Sequence, residues 1–262
     1  MQRSVWHLTM MVVMTIFTLT LAGCSGEQNG EQAAQQLATK GKGRVELAYV
    51  EWSSEVASTN VVRVVLEQAG YEVRITPVSA AAMWQAIGAG DADAMVAAWL
   101  PTTHGHYLEK VEDQVEDLGP NLDGTRIGLV VPSYVTINSI AVLNDVAERI
   151  DGKLIGIDPG AGLMSKTEKV IEDYGLDLKL VEGSGATMTA ALGDAIKNNQ
   201  WIVVTGWTPH WKFARWDLKY LEDPKGVYGG AEQIHTIVRK GLKEERPEVY
   251  RILDKFNWTP DD

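Results

Sequence analysis

The sequence predicts an α/β fold made of two lobes with a ligand cleft between them, and three observations predict it. Short apolar runs typical of strands alternate with helical patterns from Arg44 onward. This alternation occurs in two similar units, and it is typical of parallel βαβ architecture. A last helical pattern begins near Pro247, a residue type favoured in the first helical turn, and it is expected to return to the first unit.

The first unit contains three strand patterns, each followed by a helical pattern. Ser58, Thr59 or Asn60 can cap the first helix, and Gly70 ends it. The third helical pattern, over residues 104–119, is expected to form an exposed helix. In chain order the patterns are VELAYVEW, VVRVVLEQAG, YEVRITPV, AAMWQAIGAG, DADAMVAAW and HGHYLEKVEDQVEDLG.

The second unit repeats the alternation. It begins with an apolar strand pattern that Pro132 breaks, and a hinge between the lobes is expected near Val130 to Tyr134. In chain order the patterns are IGLVVPSY, KLIGIDPG, GLMSKTEKVIEDYG, LKLVEGS, ATMTAALGDAIKNNQ, WIVVTGW, EQIHTIV and EVYRILDKF.

The residues before Arg44 are expected to lie outside this fold. Arg3 followed by an apolar stretch is typical of a secretory signal, and Leu21-Ala22-Gly23-Cys24 resembles the lipobox of bacterial lipoproteins. The alternative is an ordinary secretory signal with an incidental cysteine, although Cys24 is the only cysteine and has no disulfide partner. The expected organisation is 1–23 signal peptide, 24–43 lipidated cysteine and flexible tether, 44–131 first lobe, 132–230 second lobe, and 231–262 a C-terminal segment that returns to the first lobe.

Composition argues against several functional classes. The net charge is −11, and there is no clustered basic run, so nucleic acid is not expected as a partner. His104 and His106 are poorly spaced for a closed zinc site, and no cysteine is left to join them, so no metal is expected. No G-x-S-x-G elbow occurs, and no catalytic residue or cofactor is predicted.

Three tryptophans carry the strongest signal for a binding site. The chain has nine tryptophans against three phenylalanines, and Trp52, Trp99 and Trp207 each close a strand pattern. Because ligands of α/β folds bind at the carboxyl ends of the strands, these three rings could form one box. A box of electron-rich faces suits an organic cation. The alternative is that each ring simply packs in the core.

A glycine-rich turn between a strand and a helix provides the second signal. GIDPGAG, from Gly156 to Gly162, matches neither a Walker loop nor the dinucleotide fingerprint. Free backbone N–H groups at a helix N-terminus nevertheless attract a carboxylate or phosphate. The alternative is a plain tight turn. Opposite a tryptophan box, the turn would supply the anionic half of a site for a zwitterion.

From Arg44 to the C-terminus, the chain resembles the substrate-binding proteins of glycine betaine/proline betaine ABC importers. TGWTPHW and its continuation are specific to that family. In some relatives the half that carries the GIDPG segment comes first, whereas here it comes second. The segments that carry the resemblance are AYVEWSSEVASTNV, GDADAMVAAWLPTTHG, GLVVPSY, GIDPGAGLMS, TGWTPHW, LEDPKGVYGGAEQIHTIVRKG and FNWT.

The resemblance implies a type II periplasmic-binding-protein fold and a role for each candidate residue. Trp52, Trp99 and Trp207 correspond to an aromatic prism around a quaternary ammonium. The backbone amides of Gly162 and Leu163 correspond to groups that hold the ligand carboxylate. His104 matches a histidine that approaches the ligand in some members.

The resemblance also implies the function of the whole protein. It predicts a non-catalytic, extracytoplasmic receptor that binds glycine betaine, is anchored to the outer face of the membrane by Cys24, and delivers the ligand to an ABC permease in osmoprotection. Carnitine or choline remains an alternative ligand. An exported enzyme acting on trimethylammonium compounds would need a nucleophile or a metal at the box, and the sequence supplies neither.

Overall fold

The structure of the protein, a computed structural model, describes residues 41–259. The predicted signal peptide, Cys24 and nearly all of the predicted tether lie outside the described residues. Within the described range, no helix is both long enough and apolar enough to cross a membrane.

The described strands follow one another across a mixed sheet in the order β2-β1-β3-β9-β4-β7-β5-β6, and β8 pairs with β4. Pairing is parallel for β1 with β2 and β3, and for β5 with β6 and β7, but antiparallel wherever β4 or β9 takes part. The strands are β1 (Arg44–Tyr49), β2 (Glu72–Pro77), β3 (Ala94–Leu100), β4 (Val115–Pro132), β5 (Lys153–Ile155), β6 (Lys179–Val181), β7 (Val204–Thr208), β8 (Leu218–Tyr220) and β9 (Glu232–Arg239).

Helices connect the parallel strands and cover the sheet. Two further connections, Ile140–Val142 and Asn144–Ile150, are 3₁₀ helices. The α-helices are α1 (Ser53–Gln68), α2 (Ala80–Ala89), α3 (Gly105–Leu108), α4 (Gly162–Tyr174), α5 (Gly185–Lys197), α6 (Lys212–Arg215), α7 (Leu242–Glu245) and α8 (Pro247–Asp254).

Strand β4 belongs to both lobes of the fold. Its first part, up to Thr125, pairs with β9, and from Arg126 onward it pairs with β7. We call β1, β2, β3, β9 and the first part of β4 the first lobe, and the second part of β4 with β5 to β8 the second lobe. The chain therefore crosses between the lobes at Thr125/Arg126, and again in the connection from β8 to β9.

The crossing differs from the position expected from the sequence. Val130 and Pro132 pair with β8, so they lie inside the sheet of the second lobe and not between the sheets. The strand changes sheets six residues before the boundary expected at 131/132. Pro132 ends the strand, but the polar segment VEDLGPNLDGTR before it is also extended and paired, which hydrophobic patterning did not indicate.

The prediction of a helix over residues 104–119 is wrong, because part of this polar segment also pairs as a strand. Only Gly105–Leu108 is helical, and β4 starts at Val115. Val111 and Val115 are four residues apart, a spacing that is typical of one face of a helix. Both are buried, but Val115 lies in a strand and pairs with Arg239.

A second apolar cluster lies away from the cleft in the first lobe. Val45 and Leu47 of β1 pack with Val62 of α1 and Val249 of α8, and all four are almost completely buried. Since α8 packs there and β9 pairs with β3, the chain returns to the first lobe.

Candidate functional site

The three strand-end tryptophans line one cavity between the lobes. All three rings are at least 93 % buried. None of the lining side chains carries a charge. The lining residues are Trp52, Trp99, Thr103, Ile127, Ile157, Ala161, Leu163 and Trp207.

Trp52 is the N-cap residue of α1, three residues after the end of β1, and it contacts the second lobe. Its ring centroid lies 6.5 Å from that of Trp207, with an interplanar angle of 55°. Its indole Nε1 donates a hydrogen bond of 2.7 Å to Oδ1 of Asp158 in the glycine-rich turn. The ring orientation is therefore fixed by a carboxylate from the opposite lobe.

Glu55 holds the other two tryptophans through a buried chain of hydrogen bonds. Its Oε1 accepts from Nε1 of Trp99 at 2.7 Å, and its Oε2 accepts from the Ser54 hydroxyl at 2.5 Å. Oγ of Ser54 in turn accepts from Nε1 of Trp207 at 3.2 Å. Burial is the main influence on the Glu55 carboxyl and raises its pKa, and the hydrogen bonds from Ser54 and Trp99 act in the opposite direction.

His104 lies next to the cavity as a neutral hydrogen-bond donor. Its Nδ1 accepts the backbone N–H of Trp99 at 3.1 Å, so the proton of the neutral ring is on Nε2. Among the described residues, that buried Nε2 has no hydrogen-bond partner. Burial lowers the pKa of His104 to about 3, and the ring centroid is 5.9 Å from that of Trp52.

The glycine-rich turn leads into α4, whose first residue is Gly162. The N-cap residue Ala161 makes no side-chain cap hydrogen bond. The first N–H groups of a helix have no acceptor within the helix, so the amides of Gly162 and Leu163 are suited to an anion. A side chain at Gly162 would overlap the backbone carbonyl of Thr103, so the two lobes approach closely at this point.

A buried carboxylate supports the loop that carries Thr103. Oε1 of Glu232, at the start of β9, accepts the backbone N–H groups of Thr102 and Thr103, both at 2.7 Å. Oε2 of Glu232 accepts the Thr103 hydroxyl. The cavity wall opposite α4 is therefore tied to the start of β9, a strand of the first lobe.

Cross-cleft hydrogen bonds define a closed arrangement. Besides the pairs Trp52–Asp158 and Trp207–Ser54, the Tyr107 hydroxyl donates 2.7 Å to the carbonyl of Gly160. Sequence patterns indicated the tryptophans and the glycine-rich turn, and the family resemblance indicated His104. Neither indicated Ser54, Glu55 or Glu232. The roles of these three residues depend on burial and on partners distant in the chain. Asp158, the acceptor for Trp52, differs because it lies in the GIDPG segment, which the sequence had already marked.

No group of three or more metal-ligating side chains occurs among residues 41–259. His210 packs against Trp207, with ring centroids 4.5 Å apart. His235 pairs with Asp117 at 2.9 Å.

Comparisons with known proteins point to one family. Residues 43–262 match the family described as the substrate binding domain of ABC-type glycine betaine transport system. Over 121 residues, the chain is 54 % identical to the glycine betaine/carnitine transport binding protein GbuC of Listeria monocytogenes. That match covers 45 % of this chain and 40 % of GbuC, so it spans less than half of that relative's length.

Two solved structures share most of the fold. The glycine betaine, L-proline ABC transporter binding protein ProX from Borrelia burgdorferi is 43 % identical, with a TM-score of 0.81 over 83 % of each chain. Lactococcal OpuAC, in its closed-liganded conformation complexed with glycine betaine, is 50 % identical, with a TM-score of 0.80. That match covers 84 % of this chain and 86 % of the lactococcal chain.

Proposed function

The chain belongs to the family of substrate-binding domains of ABC-type glycine betaine transport systems, and we propose that it is a receptor that binds glycine betaine between its lobes. The observation that carries the proposal is the convergence of Trp52, Trp99 and Trp207 on one uncharged cavity. The amides of Gly162 and Leu163 adjoin the same cavity. The two features match the two ends of a betaine.

The cavity lining favours a quaternary ammonium over a primary one. A trimethylammonium group has no N–H to donate, so aromatic faces without acceptors satisfy it, whereas a primary ammonium would lose its hydrogen bonds to water. Each aromatic wall contributes roughly 0.5–2 kcal/mol by cation–π attraction. The hydrogen bond from the Trp99 indole N–H to Glu55 lies within the first lobe, so it fixes that ring before the ligand enters, which reduces the ordering cost.

The carboxylate of the ligand is proposed to bind the amides of Gly162 and Leu163 at the N-terminus of α4. The helix dipole favours negative charge at this point. Nε2–H of His104 is proposed as a further donor, because it is buried and has no partner among the described residues. Charge-assisted hydrogen bonds contribute about 1.5–3 kcal/mol each. Together with three aromatic walls, they are sufficient for a micromolar site, about −8 kcal/mol.

Isothermal calorimetry with glycine betaine, choline and carnitine tests the proposal. Glycine betaine should bind and change the tryptophan fluorescence. Trp52→Ala, Trp99→Ala and Trp207→Ala should each weaken binding by about three- to thirtyfold, the loss of one cation–π wall. Trp201→Ala is the control, since Trp201 does not line the cavity. If all three cavity variants bind as tightly as the control, the box is not the site.

Carnitine is the second candidate ligand, because GbuC is named for both compounds. The one hydroxyl side chain in the cavity lining, Thr103, donates to Glu232 and keeps acceptor capacity for the hydroxyl of carnitine. Choline has no carboxylate for the amides of α4, so it should bind at least about tenfold more weakly than glycine betaine. Equal affinity for choline and glycine betaine would remove the proposed role of the turn.

We also propose that the receptor is extracytoplasmic, delivers betaine to an ABC permease in osmoprotection, and catalyses no reaction. Cys24, in its lipobox-like segment, is the proposed lipid anchor. Labelling with a fatty-acid analogue should mark the wild type but not Cys24→Ala, and equal labelling would refute the anchor. Loss of betaine accumulation at high salt on deletion of the gene tests the transport role.

A further inference from the structure

Lys212, the first residue of α6, is a buried cation that the proposed site does not use. Its side chain has no solvent exposure. Among the described residues, its Nζ has neither a hydrogen-bond acceptor nor an ion-pair partner. Burying an unpaired ammonium costs free energy, so the contacts around Nζ decide whether it carries a charge.

The side chain of Lys212 contacts a wall of the cavity from outside. Nζ lies 4.5 Å from the ring centroid of Trp207 and 5.1 Å from that of Phe213. Trp207 lines the cavity, but Lys212 does not. The indole of Trp207 therefore contacts the Lys212 ammonium and also lines the space where a ligand would lie.

We propose that Lys212 is an internal cation that competes electrostatically with a cationic ligand for Trp207 and thereby sets the charge selectivity of the box. The inference rests on the proposed function, because it presumes a ligand cation against Trp207. A charged Nζ weakens the attraction of the negative face of the Trp207 ring for a second cation. It also repels a nearby positive charge directly. An uncharged ligand of the same shape feels neither effect.

The charge on Lys212 changes within the physiological range. Burial lowers the pKa of Lys212 to about 7. The ammonium is therefore present below pH 7 and lost above it, so affinity for a cation should fall as the pH falls through this value.

The groups around Lys212 do not offset this charge. Nδ1 of His210 accepts the backbone N–H of Lys212 at 3.0 Å, and burial with the Lys212 charge lowers the pKa of His210 to about 3. Tyr220 of β8 stacks on Phe213, and burial raises its pKa, so its hydroxyl is neutral. The guanidinium of Arg126 in β4 lies over Tyr220 at 4.3 Å and adds positive charge. Among the described residues, no carboxylate pairs with Nζ.

Lys212→Met tests the inference, because methionine keeps the length of the side chain and removes its charge. The ligands are glycine betaine and 3,3-dimethylbutanoate, in which a carbon atom replaces the quaternary nitrogen. At pH 6, the variant should bind glycine betaine about tenfold more tightly than wild type. The gain should vanish by pH 9, and 3,3-dimethylbutanoate, which carries the same carboxylate but no cationic nitrogen, should show no gain at any pH.

Lys243→Met is the matched control. Lys243 is an exposed residue of α7 whose Nζ lies 5.2 Å from the Tyr250 ring centroid. The substitution removes the same charge as Lys212→Met, but away from the cavity. The affinities of Lys243→Met for both ligands should equal those of wild type.

In wild type, NMR titration of the Lys212 amine gives a readout that needs no variant. Saturating glycine betaine should lower its apparent pKa by about one unit, as reciprocity requires of a tenfold coupling.

The outcomes separate the inference from the proposed function. Unchanged glycine betaine affinity in Lys212→Met at pH 6, or an equal gain for both ligands, overturns the inference and leaves the receptor function intact. An apparent pKa of Lys212 that does not respond to glycine betaine also overturns it. Failure of wild type to bind glycine betaine at any pH counts against the proposed function itself.

Discussion

The indole N–H of each cavity tryptophan is bonded to an oxygen acceptor, and two of the three acceptors are carboxylates. Asp158 accepts from Trp52, and Glu55 accepts from Trp99. An N–H donor bonded to an anion leaves the ring richer in electrons, which strengthens its attraction for a cation. We expect Glu55 to serve the box in two ways, by orienting Trp99 and, in the carboxylate form that the hydrogen bonds from Ser54 and Trp99 favour against burial, by placing negative charge behind it.

Glu55→Gln separates these two contributions, because glutamine keeps the size and one acceptor oxygen. We expect glycine betaine affinity to fall about three- to tenfold, while binding of 3,3-dimethylbutanoate, which has the same carboxylate but no cationic nitrogen, does not fall in this way. Glu67→Gln, an exposed change on the same helix α1, is the control and should leave both affinities unchanged. Calorimetry with both ligands measures the ratio. An equal loss for both ligands would mean that Glu55 only orients the ring.

Two helices of the second lobe begin in different ways, and the difference is consistent with the proposed anion site. Helix α5 has Ser184 as its N-cap, and Ser184 and Thr187 form a reciprocal capping box. Helix α4 has Ala161 at the same position, with no side-chain cap. The capping box satisfies the Thr187 amide of α5, whereas at α4 no capping side chain competes with a ligand for the first amides, which lie at the cavity.

Gly162→Ala tests the role of the α4 N-terminus in closure. Alanine keeps the backbone N–H, but its Cβ would overlap the carbonyl of Thr103 in the closed arrangement. We expect glycine betaine affinity to fall by a factor of about 5 to 150, since overpacking costs typically 1–3 kcal/mol. The melting temperature of the unliganded protein should stay close to that of wild type.

Gly185→Ala is the matched control, also at the first position of a helix. Its Cβ would lie 3.8 Å from Cη2 of Trp207, an ordinary contact. Its affinity should stay within about threefold of wild type. If Gly162→Ala binds as tightly as Gly185→Ala, the lobes do not meet at Thr103 when the ligand is bound.

Local patterns predicted the strand-end tryptophans and the start of α8, because each depends on a few adjacent residues. Patterns failed where distant pairing decides the structure. Val111 and Val115 have helical spacing, but Val115 lies in a strand because β9, more than a hundred residues away, pairs with it. Glu55 resembled an ordinary first-turn acid, and Lys212 an ordinary surface lysine. Only the packing around them shows that both are buried.

At the scale of the whole molecule, two chain crossings connect the lobes, and hydrogen bonds across the cleft hold them together. Each such bond contributes about 0.5–1.5 kcal/mol net, so the small set seen here does not by itself keep the cleft closed. A ligand gripped from both lobes adds free energy to the closed form only, and so shifts the population towards it. We propose that a permease distinguishes loaded from empty protein by this difference in shape.

Tyr107→Phe tests this account, because it removes one cross-cleft bond, to Gly160, and leaves the cavity lining unchanged. We expect glycine betaine affinity to fall about two- to tenfold. Tyr134→Phe is the control, since its hydroxyl bonds to the Gln200 carbonyl within the second lobe and should not affect affinity. In small-angle scattering, saturating glycine betaine should reduce the radius of gyration of all three proteins to the same value. Identical curves for empty and loaded wild type would mean that the lobes are already closed without ligand, and Tyr107 would then affect stability and not closure.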